Sequence, residues 1–453
     1  MENKFITGLD IGTTAIKVFI GKKLENGKIE IIGRGQTESV GVERGEVANP
    51  GRTAESIKIA MEQAETMANV KVSEVYVGVA GYHIQSRTVP GSIIRENPND
   101  LITKEEVFKL HDYQRYVVKP DGADIIDIMV QSYAVDREEC SDPIGMIGHR
   151  LEGTFNIIFG SGTCINKIMK SVDHAGYKLK GLILQPLASA EAVLSEEDKQ
   201  DGVCLVDIGG GTTDIAIFKQ GFLRHIKSIP IAGKLITLDI EDAYRITNKN
   251  AESIKINYGT CLPEAIKESD FVVTVPGYRG GAPKEISVKH LASVIKGRVE
   301  MILDFIMVEL NQKKYTEQLQ AIIFTGGGSK IRHIKNLSEF RIPDLVSNVC
   351  PINEEHFDNL PEELKNPIYA TGLGLLIAAF KEEEEEAERI PVSDKVEDNP
   401  SGEKPEEEEA ERDTGGNNPP PRKPLGRIII DWLKGINKIK PFDDTDNNQD
   451  VMY

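Results

Sequence analysis

The chain has 453 residues and a formal net charge of −18, a length that excludes one single hydrophobic core and predicts two or more domains. Residues 382–421 hold sixteen acidic and four basic side chains, net −12, so the rest of the chain is only mildly acidic. This distribution excludes a nucleic-acid-binding surface, and five scattered cysteines without a C-x-x-C pair indicate reduced thiols in a cytosolic protein.

Residues 1–82 predict three strands, a helix and a fourth strand, the start of a first domain. An apolar strand ends in Asp10-Ile-Gly, and a turn of small residues leads into the next strand. Apolar residues then recur at three- and four-residue steps from Thr53 to Asn69, which predicts an amphipathic helix. No apolar signal segment precedes the first strand.

Residues 83–160 change in character, because charges and four prolines predict a division into short strands around a helix near residues 104–113. This pattern predicts a small inserted α+β subdomain. Residues 161–200 return to the first domain, with a helix, a strand at Gly181–Leu184 and a second helix at Ala188–Leu194.

The second half begins at Gly202 with what looks like a copy of the first glycine turn. Asp207 and Gly209 stand where Asp10 and Gly12 stand, and a third strand again follows. Residues 201–231 and 301–380 predict a second domain, and residues 232–300 its helical subdomain. In that domain the strand Ala321–Phe324 leads into a third turn, residues 325–330, and then a helix.

The duplicated turns predict a nucleotide held between two half-molecules. A turn without bulky side chains exposes backbone N–H groups that form an anion-binding nest, and two facing nests grip a polyphosphate from both sides. One copy alone would favour a plain hairpin. The third turn, before a helix N-terminus, favours a phosphate or a stacked base. The chain contains no G-x-x-x-x-G-K-[ST] and no G-x-G-x-x-G after a strand, which excludes a P-loop and disfavours a dinucleotide fold.

Asp10 and Asp207 suit Mg²⁺, which takes few carboxylates and keeps several waters beside phosphates. The alternative is that both residues cap turns, and their duplication disfavours it. Lys17 either reaches a β- or γ-phosphate or is a solvated strand lysine, and the sequence favours neither. The eight histidines lack metal-ligand spacing and are interpreted as structural or surface residues.

The chain after residue 380 predicts a linker and a membrane-binding helix. Residues 381–421 are rich in Glu, Pro, Gly and Asn, which predicts a disordered acidic linker. Residues 422–440 hold six basic residues, one acidic residue and the only tryptophan, and residues 441–453 form a polar tail. An apolar helical face opposite a cationic one favours a membrane-surface anchor over a helix docked in a protein groove. The apolar face consists of Leu425, Ile428, Ile429, Trp432, Leu433, Ile436 and Ile439.

The three turns resemble the phosphate-1, phosphate-2 and adenosine motifs of the actin, sugar-kinase and heat-shock-chaperone ATPases. Within that superfamily, residues 5–380 and the C-terminal helix most resemble the bacterial cell-division family FtsA. The strings that carry this resemblance are GLDIGT at Gly8, VDIGGGTTDIA at Val206, AESIK at Ala251, FTGGGS at Phe324 and QPLASAEAV at Gln185. The resemblance implies an α/β, actin-like fold of two duplicated ribonuclease-H-like domains with the FtsA-type insert.

The resemblance also implies a function: an ATP-binding scaffold of the division ring that polymerises and tethers FtsZ to the cytoplasmic face of the inner membrane. It places binding of the FtsZ C-terminal peptide on the helical subdomain, where Arg279, Lys284, Lys289 and Arg298 offer positive charge. The sequence itself leaves enzymatic activity open, with at most weak ATPase activity and Gln185 as the candidate residue to position a water. A sugar or small-molecule kinase of the same fold is the alternative function. The residues expected at ATP are Gly12, Thr13, Thr14, Lys17, Gly209, Gly210, Gly211, Thr212, Thr213, Glu252, Lys255, Gly326, Gly327, Gly328 and Lys330, with Asp10 and Asp207 at Mg²⁺ through water.

Overall fold

A computed structural model describes residues 5–117, 119–267, 272–277, 281–312 and 314–389. The elements of the first part of the chain are β1 (Phe5–Ile11), β2 (Ala15–Lys23), β3 (Ile29–Glu38), β4 (Val42–Glu43), β5 (Glu46–Val47), α1 (Pro50–Ala68) and β6 (Glu74–Val79). The inserted segment then forms β7 (Gln85–Ile94), α2 (Lys104–Tyr113), β8 (Ala123–Val135), β9 (Glu138–Cys140) and β10 (Arg150–Ser161).

The chain returns to the first domain after the insert and then builds the second. The returning elements are α3 (Gly162–His174), β11 (Lys178–Leu184), α4 (Gln185–Val193) and α5 (Glu196–Asp201). The second half forms β12 (Val203–Ile208), β13 (Thr213–Lys219), β14 (Phe222–Ile229), α6 (Gly233–Tyr244), α7 (Asn248–Tyr258), β15 (Val272–Val275), β16 (Lys284–Ser287), α8 (Val288–Gln312), β17 (Ala321–Thr325), α9 (Ile334–Arg341), β18 (Val346–Val349) and α10 (Ala370–Arg389).

Two five-stranded sheets of identical topology confirm the predicted duplication. Their strand orders are β3-β2-β1-β6-β11 and β14-β13-β12-β17-β18. In each sheet the first three strands pair antiparallel, and the last two join in parallel. The central strands β1 and β12 therefore occupy equivalent positions, and each leads directly into one of the two glycine turns.

Helix α1 packs closely on β3, because two glycines of that strand leave room for its backbone. A Cβ on Gly35 would clash with the carbonyl oxygen of Ala60. The helix begins three residues before the predicted Thr53, since the Asn49 side chain accepts a hydrogen bond from the backbone N–H of Arg52 and Pro50 takes the first helical position.

The insert forms its own four-stranded sheet in the order β7-β10-β8-β9, with a hydrophobic core that includes Leu110, Leu151 and Phe155. The second domain has a larger core, in which apolar residues of β12, α6 and α8 pack together. The predicted helix of the insert is thus confirmed. The prediction of short strands is wrong, since β7, β8 and β10 have 10, 13 and 12 residues and pair along their length. The exact domain boundaries stay predictions.

Helices α4 and α10 connect the two halves of this fold. Helix α4 contacts β6 and β11 of the first sheet and β12 and β13 of the second. Helix α10 crosses α4 so closely that a Cβ on Gly374 would clash with the carbonyl oxygen of Ala188. Larger side chains at this crossing would push the helices apart.

The third glycine turn is followed by a helix, as predicted, since residues 327–330 form a 3₁₀ turn and α9 begins at Ile334. One local expectation needs correction. Residues 381–389, assigned to the linker, continue α10, since their Glu and Ala residues are strong helix formers.

The described residues up to Phe380 form one compact unit. The predicted helix at residues 422–440 with its seven apolar residues, the rest of the linker, the tail and Arg279 lie outside the described residues. Among the helices that are described, none has the length and apolar character needed to cross a membrane.

Candidate functional site

Asp10 and Asp207 are buried at equivalent positions, each one residue before the end of its central strand. Their exposed fractions are only 4% and 7%. A carboxylate taken out of water is costly unless hydrogen bonds or a cation compensate it. The partners of these two side chains therefore define the site.

One helix, α4, reaches both carboxylates. Gln185 Nε2 lies 3.4 Å from Asp10 Oδ1, and Ser189 Oγ donates a hydrogen bond of 2.6 Å to Asp207 Oδ2. The two residues are four apart and so share a helical face. Thr371 of α10 adds a second hydroxyl on Asp207, at 3.2 Å. Gln185, predicted to position a water, thus lies beside Asp10.

The residue that faces each aspartate across its hairpin differs between the two halves. Lys17 pairs with Asp10 in the β1–β2 register, and its Nζ lies 3.1 Å from Asp10 Oδ2. The equivalent residue opposite Asp207 is Asp214. It accepts a 3.0 Å hydrogen bond from Thr212 Oγ1 at Oδ2, while its buried Oδ1 has no hydrogen-bond partner among the described residues.

Sequence reasoning missed Asp214, although a signal was present. Asp214 follows Asp207 by seven residues, as Lys17 follows Asp10. In two hairpins of equal length, equal spacing places both residues opposite the aspartate of the central strand.

The three aspartates make the centre of the site strongly acidic. Burial raises the pKa of Asp207, the hydrogen bond from Ser189 acts against this, and the charge of Asp10 adds to the increase. Burial also raises the pKa of Asp214 to about 7, with further contributions from the charges of Asp207 and Asp10. Because three neighbouring negative charges repel one another, the cluster favours binding of a proton or a metal cation.

The first two glycine turns face each other and lie in direct contact, whereas the sequence predicted a cleft between them. A Cβ on Gly210 would clash with Oγ1 of Thr14, and a Cβ on Gly211 would clash with Oγ1 of Thr13. The turns are tight, since Gly209 N–H donates to Thr212 O at 2.9 Å. The hydroxyl groups of Thr13 and Thr14 thus face the glycines of the second turn. Gly12 belongs to the first turn. At the end of the second turn, the buried Thr213 hydroxyl donates to Ile231 O at 2.7 Å.

The third turn packs against the second central strand. A Cβ on Gly326 would clash with Oδ1 of Asp207, and one on Gly328 with the Ile208 side chain. These two glycines therefore allow the close approach of the turn to β12. Gly327 and Lys330 are exposed.

Glu252 and Lys255 of α7 lie near the second turn, because the first residues of α6 contact both that turn and Lys255. The amides of Gly233 and Lys234 donate to Gly209 O and Gly210 O at 3.1 and 2.8 Å. Lys255 Nζ lies 2.7 Å from Glu252 Oε2 and donates to Gly233 O at 3.1 Å. The structure thus brings the predicted residues of α7 to the same side of the site as Gly209 and Gly210.

The basic residues predicted to bind FtsZ differ in whether their side chains already have partners within the fold. Arg298 forms a two-fold ion pair with Asp239, with distances of 2.7 and 2.8 Å. Lys284 Nζ donates to the carbonyl oxygens of Tyr244 and Arg245 at the end of α6, at 2.6 and 3.1 Å. Lys289 is exposed. Arg298 and Lys284 therefore stabilise the subdomain itself.

Comparison with protein families gives two matches. The family described as "Cell division protein FtsA" matches residues 204–374, and the "SHS2 domain inserted in FTSA" matches residues 81–159. The second match coincides with the separate four-stranded sheet of the insert.

Curated relatives match most of the chain, each under the name "Cell division protein FtsA". The protein of Neisseria meningitidis serogroup B is 35% identical over 386 residues, 84% of this chain and 91% of the relative. That of Escherichia coli K12 is 32% identical over 385 residues, 83% and 90%. That of Bacillus subtilis strain 168 is 32% identical over 406 residues, 86% and 90%.

Among solved structures, the "PilM-PilN type IV pilus biogenesis complex" is similar to this chain with a TM-score of 0.58 and 15% identity, covering 82% of this chain and 98% of that one. This likeness concerns the fold alone. Together with the duplicated sheets and the matched insert, it confirms the predicted actin-like, two-domain α/β fold.

Replacing Asp214 by Asn tests the acidic cluster. Because the folded state raises the pKa of Asp214 to about 7 from an ordinary 3.8, this group stabilises the fold most at acidic pH and loses that contribution as pH rises through about 7. Asp214→Asn removes the titration, so its free energy of unfolding should fall less between about pH 5 and about pH 8 than that of the parent, by roughly 1–3 kcal/mol.

The measurement is urea unfolding followed by circular dichroism, without nucleotide or divalent cation. Equal pH dependence of the two proteins would show that Asp214 is ionised in the fold throughout this range.

Proposed function

Because this chain belongs to the FtsA family of cell division proteins, we propose that it binds ATP between its glycine turns and tethers FtsZ polymers to the inner face of the cytoplasmic membrane. Membership makes it an actin-like division protein. The kinase alternative is not supported, since the matched relatives are division proteins.

The observation that carries ATP binding is the contact between the two glycine turns above the buried aspartates. Thr13 and Thr14 of the first turn face Gly210 and Gly211 of the second, where any larger residue would clash. Turns of this kind offer backbone N–H groups to phosphate oxygens. Glu252 and Lys255, beside the second turn, are then placed to contact the adenosine, and Lys330 and Gly327 line the exposed edge of the third turn.

The donor set at the centre fits Mg²⁺. Asp10 and Asp207 supply hard carboxylate oxygens, and Asp214 adds a buried oxygen without a protein partner among the described residues. Mg²⁺ prefers a few carboxylates together with waters and phosphate oxygens. When bound, the ion would neutralise phosphate charge, while Asp10 and Asp207 hold it through water.

The nucleotide acts mainly on conformation, with at most weak hydrolysis. Gln185 Nε2 lies 3.4 Å from both Asp10 Oδ1 and Gly78 O, so its carboxamide is oriented by the fold. Helix α4 contacts both sheets and holds Asp10 and Asp207 from one face. Ligand contacts on both turns would therefore favour one arrangement of the two domains, the one that polymerises.

FtsZ binding is assigned to the helical subdomain, where Lys289 is exposed, and to an apolar surface that follows it on the C-terminal part of α8 and on α9, outside residues 232–300. Met301, Phe305 and Val308 of α8 are 41%, 43% and 49% exposed, and Phe340 of α9 is 80% exposed. Large exposed apolar side chains grouped on neighbouring helices are typical of a peptide-docking surface.

Membrane attachment is assigned to residues 422–440. Their apolar face would enter the lipid interface, and their six basic residues would attract anionic headgroups. A single short helix binds only marginally, so a polymer that presents many copies should bind far more tightly than a monomer. The acidic linker repels an anionic surface and keeps the folded body at a distance.

Gly210→Asp should weaken ATP binding by about tenfold or more, because a carboxylate would face the phosphates and its Cβ would displace Thr14. Calorimetric titration of the full chain with Mg·ATP measures the effect. Gly51→Asp is the matched control. The added Cβ would contact only Asn49 Oδ1, at 3.6 Å, and a negative charge is favourable in the first turn of α1. Unchanged affinity in a folded Gly210→Asp protein would remove the phosphate assignment.

Lys289→Glu should weaken binding of the FtsZ C-terminal peptide more at low salt than at high salt, because the effect of an exposed charge is screened. Phe305→Ser should weaken it at both salt concentrations, since the loss is apolar contact. Fluorescence anisotropy of a labelled peptide measures both, with Lys58→Glu on α1 as the charge-matched control. If neither variant changes affinity, the peptide binds elsewhere.

Trp432→Glu should release the protein from anionic liposomes, since it removes a large apolar group worth about 1.5–3 kcal/mol and adds a repelled charge. Asn437→Glu adds the same charge on the polar face and should reduce binding much less. Co-sedimentation with and without ATP is the measurement. A Trp432→Glu protein that still sediments with liposomes would favour the groove-docking interpretation of this helix.

A further inference from the structure

The hairpin formed by β4 and β5 ends in a tip that lies at the glycine turns. Val42 pairs with Val47, and both side chains are only 4% exposed. The backbone N–H groups of Ala48 and Asn49 both donate to Gly41 O, at 2.8 and 3.0 Å, where the hairpin joins α1. The tip, Arg44–Gly45, is therefore held in place from both of its strands.

The tip contacts both glycine turns. Gly45 N–H donates to Thr13 Oγ1 of the first turn at 2.8 Å. A Cβ on Gly45 would lie 2.7 Å from Cγ2 of Thr212, and one on Gly211 would lie 3.0 Å from Cα of Arg44. The backbone of Arg44 is thus a direct neighbour of the second turn, beside the space assigned to the phosphates.

Arg44 is unusual in conformation. Its φ is +49° and that of Gly45 is +80°, the pair expected of a tight two-residue hairpin turn, in which Asn rather than Arg favours the first position. A left-handed arginine costs conformational energy, which the surrounding contacts must offset.

The charge of Arg44 is uncompensated. Its side chain is exposed, and no hydrogen bond or ion pair joins it to another residue that the structure describes. Two other cations near the turns differ in this respect, because Lys17 pairs with Asp10 and Lys255 with Glu252. A free guanidinium at the edge of a phosphate site is suited to a bidentate contact with phosphate oxygens.

We propose that Arg44 binds the terminal phosphate of the nucleoside triphosphate and thereby makes the β4–β5 hairpin the element that distinguishes ATP from ADP. This assignment rests on the proposed nucleotide site. Since the same hairpin leads into α1 through Asn49, a change in the position of the hairpin on binding of the terminal phosphate would be passed on to α1 of the first domain.

Arg44→Asn is the sharpest test, because Asn suits the left-handed turn and removes only the guanidinium. Calorimetry on the full chain should show affinity for a non-hydrolysable Mg·ATP analogue reduced by about 10- to 100-fold, the range for a lost charged hydrogen bond, and affinity for Mg·ADP changed by less than about twofold. Arg137→Asn is the matched control, since Arg137 is exposed and has a φ of +76° in another hairpin turn.

Each other outcome has a distinct meaning. Equal weakening for ATP analogue and ADP, or no weakening of either, would overturn the role of Arg44 while leaving the nucleotide site intact. A parent protein that binds neither nucleotide would overturn the proposed site and this role with it.

Discussion

The hydrogen bonds of α4 to two buried carboxylates are the contacts on which the site depends. Gln185 and Ser189, one turn apart, reach Asp10 and Asp207 from the same helix face. Each aspartate belongs to a different sheet, so one helix fixes the distance between the equivalent ends of both central strands. Because buried carboxylates demand compensation, any movement of one sheet relative to the other alters the electrostatic balance of the centre, and a bound cation and polyphosphate would alter it too.

The crossing of α4 and α10 gives this coupling a mechanical basis. Gly374 lets the two helices touch at Ala188, and Thr371 of α10 contacts Asp207 in addition to Ser189. A hydroxyl network that joins both helices to one carboxylate transmits a change at the site to the elements between the domains. This is how ligand binding at small turns would set a domain arrangement suited to polymerisation.

The sequence predicted those parts of the fold that depend on local pattern. The two Asp-Ile-Gly turns, the equal strand orders and the separate insert follow from duplicated strings, apolar periodicity and a change in composition. The helix bounds were off by a few residues where a cap decided them, as Asn49 does for α1. The turn predicted at residues 325–330 is a 3₁₀ turn over residues 327–330, and the steric fit of Gly326 and Gly328 against Asp207 and Ile208 determines its path.

Contacts between distant parts of the chain could not be predicted in this way. Nothing in the local pattern of residues 41–47 shows that Gly45 meets Thr13 and Thr212. The pairing of Arg298 with Asp239, 59 residues apart, likewise removes a charge that appeared free in sequence. Asp214 could have been predicted from its seven-residue spacing from Asp207. It was missed because the residue at the equivalent position of the first half, Lys17, carries the opposite charge.

The most direct test of the account is hydrogen–deuterium exchange of the full chain with and without saturating Mg·ATP. Bound nucleotide should slow exchange in peptides covering residues 10–14, 207–213 and 326–330, since phosphates and the nucleoside would occupy their backbone N–H groups. Exchange that is unchanged in all three segments, or slowed only in other parts of the protein, would contradict a nucleotide held between the glycine turns.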